Sequence, residues 1–129
     1  MPPSPSKPKS RARIEAYLGG HRGEMLAAWL LRLKLYRIIG RRYKTPLGEI
    51  DLIATRFGTT VFVEVKARSK PASEAETLEA IRTSRIVAAA QYWLTRHPAK
   101  AATPLRFDVI FLAPGRWPRH VINAFDASS

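Results

Sequence analysis

The sequence predicts an α/β protein, a mixed β-sheet flanked by helices. Several runs carry apolar residues at every second position, as in Leu105, Phe107, Val109 and Phe111, and this is the period of a half-buried strand. Two other stretches carry helical periodicity, and the order along the chain is helix, strands, helix, strands. With 129 residues, 46% of them hydrophobic, the chain is the size of one domain and can bury an ordinary core.

Residues 1–13 contain Pro2, Pro3, Pro5 and Pro8 among serines and the basic Lys7, Lys9, Arg11 and Arg13. Such a composition predicts a disordered basic tail ahead of a single domain over residues 14–129. Residues 22–35 read as a helix whose apolar stripe holds Leu26, Leu30 and Leu33, with Ala27, Leu31 and Trp29 beside it. Residues 36–42 read as a short strand, and Thr45-Pro46-Leu47-Gly48 as a turn. Two strand-like runs follow, 49–55 and 61–68, joined by a connection short enough for an antiparallel hairpin. A second helix is expected over 74–97, with Glu74, Glu76 and Glu79 at its dipole-favoured start and Pro98 as its stop. Strands at 105–112 and 120–125 complete the chain, separated by a Pro114-Gly115 turn.

Charge narrows the partner. Lys and Arg number 22 against 10 Asp and Glu, a formal net charge of +12. A surface of that sign attracts polyanions, of which nucleic acid is the commonest in cells. There is no cysteine, which removes disulfides and thiolate chemistry and fits a cytoplasmic protein. No apolar run approaches the roughly 18 residues of a membrane span, so no membrane partner is expected.

Acids are scarce, so their placement is informative. Alternation puts Glu49 and Asp51 on one face of their strand, with Ile50, Leu52 and Ala54 on the other. In the next run Val61, Val63 and Val65 share one face, and Phe62, Glu64 and Lys66 share the other. Pairing the two runs as a hairpin lets Asp51 and Glu64 approach, with Lys66 one pleat further along. Adjacent carboxylates suit a hard divalent cation such as Mg²⁺ or Mn²⁺, and a lysine beside them can stabilise developing phosphoryl charge. Zinc fits less well, because His21, His97 and His120 have no ligand spacing to one another. The plainer reading of Glu64 and Lys66 is an ion pair on a solvated strand face.

Gly48-Glu49-Ile50-Asp51-Leu52-Ile53-Ala54 and Val61-Phe62-Val63-Glu64-Val65-Lys66-Ala67-Arg68 together resemble the core of the PD-(D/E)XK nuclease superfamily. More narrowly they resemble the YraN-like family of small bacterial proteins, related in fold to Holliday junction resolvases. The similarity runs from Gly23-Glu24 through the hairpin and second helix to Arg106-Phe107-Asp108-Val109 and Asn123-Ala124-Phe125. It implies a three-layer restriction-endonuclease-like fold and metal-dependent hydrolysis of a phosphodiester backbone, DNA in the first instance, branched or damaged DNA included.

Carried over, the resemblance makes Asp51 and Glu64 metal ligands and Lys66 the catalytic lysine. Glu24 matches a helix glutamate that supports the metal site, or else is a half-buried acid paired to an arginine. Counted around the second helix, Arg85 falls on the apolar face among Leu78, Ile81, Ala89 and Tyr92. It stands where the family usually has a lysine, so it can clamp a phosphate or carboxylate but not transfer a proton. Ile50 replaces the proline that precedes the aspartate in the wider superfamily. Glu49 is either a third acid of the site or a solvent-facing edge residue. Asp108 is expected to be structural, paired with Arg106 or a turn amide. Trp29 and Trp93 are expected to pack in the interior, and Trp117, between Arg116 and Pro118, is the better base-stacking candidate. The expected nucleic-acid contacts are Lys7, Lys9, Arg11, Arg13, Arg68 and Arg116. The rival reading is a binding module or scaffold that keeps the fold and hydrolyses little. The small size leaves little room for a specificity domain, which a homodimer would supply.

Overall fold

A computed structural model describes residues 21–67, 78 and 81–127. The basic tail, Arg68 and the acids Glu74, Glu76 and Glu79 lie outside the described residues. The elements are α1 His21–Leu33, β1 Arg37–Lys44, β2 Glu49–Arg56, β3 Thr59–Ala67, α2 Thr83–Arg96, the single turn α3 Pro98–Ala101, β4 Leu105–Leu112 and β5 Arg119–Phe125. The five strands form one sheet in the order β1-β2-β3-β4-β5. The pairs β1–β2, β2–β3 and β4–β5 are antiparallel, and β3–β4 is parallel. A parallel pair needs a crossover connection, and α2 lies on it. The predicted mixed sheet flanked by helices, the three-layer restriction-endonuclease-like arrangement, is therefore the fold.

The two faces of the sheet bury separate cores. On one, Ala27, Ala28 and Leu31 of α1 pack with Tyr36, Leu52, Ala54, Val61, Val63, Ile110 and Leu112. On the other, Ile86, Val87, Ala89, Ala90 and Trp93 of α2 pack with Ile50, Ile53, Phe62, Phe107 and Val109. Strand β3 supplies both by simple alternation, valines to one side and Phe62 to the other, as expected. Among the described residues no helix is long and apolar enough to cross a membrane.

Three expectations need correction. Helix α1 buries its small side, Ala27, Ala28 and Leu31, while Leu26, Leu33 and Trp29 are exposed, Trp29 at 57%. Alanines let the helix backbone approach the sheet closely, and the bulky stripe is left outside. The second helix does not run unbroken to residue 97 from the acids. Ile81 and Arg82 leave helical geometry, Arg82 at ψ 77°, and α2 starts afresh at Thr83. Thr83 and Ser84 favour such a start over a helix interior. Finally, Ile50 packs with the α2 core and not with Leu52 and Ala54, because β2 stops pairing with β3 beyond Leu52–Val63 and alternation breaks there.

Connections follow local chemistry. Arg56 pairs with Thr59, so Phe57-Gly58 is a two-residue turn with both φ positive, 49° and 82°, as a type I′ hairpin requires. Helix α1 ends with the Tyr36 N–H donating to the Leu31 carbonyl at 2.9 Å and the Leu35 N–H to the Arg32 carbonyl at 3.0 Å. Leu35 is left-handed there, at φ 71°, which closes a Schellman motif.

Candidate metal and phosphodiester site

The site forms where β2 and β3 part. Their ladder ends at Leu52–Val63, so Val65 has no partner on β2. The Asp51 carboxylate takes the place of one, accepting from the Val65 N–H at 2.7 Å. Asp51 is thus held beside β3 by its own side chain, and its carboxyl group is in hydrogen-bonding contact with that of Glu64. Lys66 closes the group, with Nζ 3.3 Å from Glu64 Oε1. The convergence expected of Asp51, Glu64 and Lys66 is present.

The electrostatics of the pair are unfavourable to two negative charges. Burial pushes the Glu64 carboxyl up to about 7, the Asp51 charge adds to the rise, and Lys66 offsets only part of it. Asp51 is also raised, chiefly by burial, against the Val65 amide that lowers it. Two carboxyl groups in contact share a proton in the absence of a cation. Their oxygens are hard donors, and a divalent cation replacing that proton relieves both burial and repulsion. The donor chemistry of this pair therefore fits Mg²⁺ or Mn²⁺.

The supporting residues divide. Glu24, on α1, is raised first by burial and then by Asp51 and Glu49, so it lies in the field of the pair. Its carboxylate, however, stands 3.5 Å from Arg42 Nε. Among the described residues no three acidic or histidine side chains gather as a set that could hold a metal ion. The ion-paired half of the Glu24 expectation is what the geometry presents. Glu49 is exposed and lines the cleft beside the pair.

That cleft, about 520 Å³, is lined by Lys44, Thr45, Gly48, Glu49, Glu64, Lys66, Ile81, Arg82, Arg85 and Ile86. Arg85 was expected amid the apolar face of its helix. It is exposed instead and reaches the cleft, because α2 begins only at Thr83 and turns Ile86, Val87 and Ala89 inward. Four cations, Lys44, Lys66, Arg82 and Arg85, thus line the cleft with Glu64 and Glu49, and Asp51 lies behind Glu64. Sequence reasoning missed Lys44 and Arg82. Their signal was position: Lys44 ends the strand before the turn, and Arg82 caps the broken helix.

The cleft's shape depends on one close approach. The turn before β2 is closed by Thr45, whose Oγ1 accepts from the Leu47 and Gly48 amides at 3.1 and 3.0 Å. This brings Gly48 against α2, where a Cβ would lie 2.4 Å from the Arg85 carbonyl oxygen. Only glycine permits that contact.

Asp108 stands apart, on the α1 side of β4, and is structural as expected. It is fully buried and takes both forks of Arg106, at 2.8 Å each. It also accepts from the Asn123 amide at 2.9 Å and lies 2.7 Å from His120 Nε2. Lys34 Nζ is 3.1 Å from His120 Nδ1, and Arg106 donates to the Tyr36 hydroxyl at 2.6 Å. The tautomer with its proton on Nε2 satisfies both histidine contacts. Trp93 is buried, edge-on to Phe62, whereas Arg116 and Trp117 are exposed in the β4–β5 loop.

Sequence comparison places this site among relatives. The profile of the uncharacterised protein family UPF0102 matches residues 23–112, which include most of α1, the hairpin, α2 and β4. A UPF0102 protein of Chelativorans sp. strain BNC1 is 51% identical over 116 residues, covering 90% of this chain and 94% of that protein. One from Rhodopseudomonas palustris strain BisA53 is 46% identical over 126 residues, 98% of this chain and 97% of the relative. One from Methylobacterium nodulans is 44% identical over 119 residues, 92% of each.

Proposed function

The chain belongs to the UPF0102 family, the YraN-like proteins that its motifs resemble, and from its site we propose a metal-dependent phosphodiester hydrolase that acts on nucleic acid, DNA foremost, in the cytoplasm. One observation carries the reading. Asp51 and Glu64 are half-buried and in carboxyl contact, and Glu64 and Lys66 lie along one wall of an open cleft whose other charges are mostly cationic. A solvated Glu–Lys pair on a strand would need neither the second carboxyl nor the cleft.

Bound at Asp51 and Glu64, Mg²⁺ or Mn²⁺ would supply Lewis-acid polarisation of a phosphoryl oxygen and activation of water. The chain's own residues supply the rest. The Val65 amide fixes Asp51, so that the carboxyl pair is oriented before substrate arrives. Lys66 Nζ, 3.3 Å from Glu64 Oε1, would hydrogen-bond phosphoryl oxygens, whose charge grows in the transition state. Arg82, Arg85 and Lys44 line the cleft where a phosphate backbone would run. The exposed Arg116 adds to this positive charge, and Lys7, Lys9, Arg11, Arg13 and Arg68 are further cations of the sequence proposed to contact phosphates.

The test is cleavage of a panel of labelled DNAs, single-stranded, duplex and branched, with Mg²⁺, Mn²⁺ or EDTA. Metal-dependent cleavage that Asp51→Ala abolishes supports the reading. Binding without cleavage on every DNA would leave a binding module or scaffold in its place. That second reading is favoured by Glu24, which faces Arg42 and does not complete a three-acid set.

A further inference from the structure

Among the described residues three large aromatic side chains stand in solvent: Trp29, Phe57 and Trp117, the last at 93% exposure. They differ in what surrounds them. Arg32 already lies over the Trp29 ring at 5.4 Å, on the outer face of α1. Phe57 lies in the β2–β3 turn, at the end of the sheet opposite the carboxyl pair, with Arg56 over it at 5.3 Å. No aromatic or cationic side chain among the described residues is stacked on Trp117.

The topology places Trp117 at the working end of the sheet. Strands β3 and β4 run parallel, with Lys66 opposite Phe111 and Ala67 opposite Leu112. The chain turns through Gly115, at φ 70°, and returns as β5 with Arg119 opposite Phe111. Lys66, Phe111 and Arg119 therefore form one row across three strands. Neighbouring strands are ~4.8 Å apart, so Arg119 is on the order of 10 Å from Lys66 along the sheet. The loop carrying Arg116 and Trp117 projects beyond the strand ends that hold Glu64 and Lys66.

We propose that this loop is a stacking platform for an unpaired base next to the phosphate held at the Asp51–Glu64–Lys66 site, so that the preferred substrate class is nucleic acid with a single-stranded segment. The inference rests on the nucleic-acid reading above and narrows it. A bare indole face beside the exposed Arg116 is the combination that takes a nucleobase on its ring and a phosphate on its cation. Pro118 fixes its own φ directly after Trp117, which reduces the entropy lost on binding. In an intact duplex each base face is already covered by its neighbours, so the platform is useful only where a base is unstacked. A protein partner would want an apolar patch, and Trp117 stands among arginines and prolines, in a chain of net charge +12.

The test uses the full chain, a labelled DNA duplex bearing a single-stranded arm, and the same duplex blunt-ended. Trp117→Ala should weaken binding of the armed duplex by roughly ten- to a hundredfold. Its effect on the blunt duplex should stay within about twofold, as for an ordinary surface substitution. Trp117→Phe should keep most of the affinity, and neither variant should change the melting temperature, since the ring packs on nothing. Single-stranded DNA should quench indole fluorescence in wild type and in Trp29→Phe, but not in Trp117→Phe. Equal loss on both duplexes, or no loss on the armed one, overturns the platform while leaving metal-dependent cleavage by wild type intact. Failure of wild type to bind any of these DNAs at low salt overturns the platform and the nucleic-acid reading together.

Discussion

Asp51 and Glu64 hold two carboxyl groups in contact, and the cost of that contact should be visible in stability. Glu64 is pushed up to about 7 by burial and by Asp51, so the folded state binds its proton more tightly than the unfolded chain. Above the folded value an ionised Glu64 opposes folding. As pH falls from there towards the ordinary glutamate range the penalty disappears. In EDTA, Glu64→Gln should therefore be more stable than wild type at pH 8, by on the order of 1–3 kcal/mol, and should converge with it near pH 5. Thermal melts at the two pH values measure this, and a less stable mutant at pH 8 would refute it. Lys66 answers a different question. A group that acts mainly on transition-state charge can be removed with little loss of binding. Lys66→Ala should keep DNA affinity within a few-fold yet cut single-turnover cleavage by roughly 10² or more. Equal cleavage by mutant and wild type would show that the active site lies elsewhere.

Two contacts decide how the elements meet. Gly48 lets the turn before β2 lie on the start of α2, where a methyl group would sit 2.4 Å from a backbone oxygen. Gly48→Ala should drive the turn and helix apart, destabilise the fold by about 1–3 kcal/mol, and lower activity by displacing Arg85 from the cleft. A mutant with unchanged melting temperature would mean that the contact is slack. On the other face, Asp108 joins β4, β5 and the α1–β1 junction through Arg106, His120, Asn123 and Tyr36. Its removal leaves the buried His120 ring and the Asn123 backbone N–H without their acceptor and strips the half-buried Arg106 of its ion pair, so Asp108→Ala should cost about 3–5 kcal/mol. Burial raises the Asp108 carboxyl, but the bonds from His120, Arg106 and the Asn123 amide outweigh it and hold the pKa below the usual value. The stability this contributes is present above the unfolded value and is lost as pH falls through the folded one, below about pH 4. Acid melts of wild type and Asp108→Asn should therefore converge in that range, and a constant gap would contradict the assignment.

At the scale of the whole molecule, a net charge of +12 coexists with a half-buried acidic pair. Binding to DNA should weaken steeply between low and physiological salt, with a log–log slope that counts neutralised phosphates. Deleting residues 1–13 removes Lys7, Lys9, Arg11 and Arg13 and should flatten that slope while leaving the melting temperature unchanged. A slope near zero in the full chain would exclude an electrostatic interface. The same distribution accounts for the cleft, where Lys44, Arg82 and Arg85 surround the acids and keep a polyanion from being repelled by them.

Strand β3 was legible in the sequence because its side chains alternate strictly, and so were the order of elements, the hairpin, Asp108 beside Arg106, and the Asp51–Glu64–Lys66 grouping. These depend on neighbours two to a few residues apart, or on one short turn. What only the tertiary structure decided depends on distant backbone. The inward face of α1 is set by how closely the sheet lets a helix approach, so Ala27 and Ala28 go inside and Trp29 stays out. Ile50 changes sides because β2 leaves β3 at Asp51, an event that no alternation pattern encodes. Arg85 reaches the cleft because α2 restarts at Thr83 and Gly48 admits its backbone, two contacts separated by more than thirty residues of chain. Local periodicity specifies which face is apolar, whereas the packing of helix on sheet specifies which apolar face is buried, and with it which charges are left to form a site.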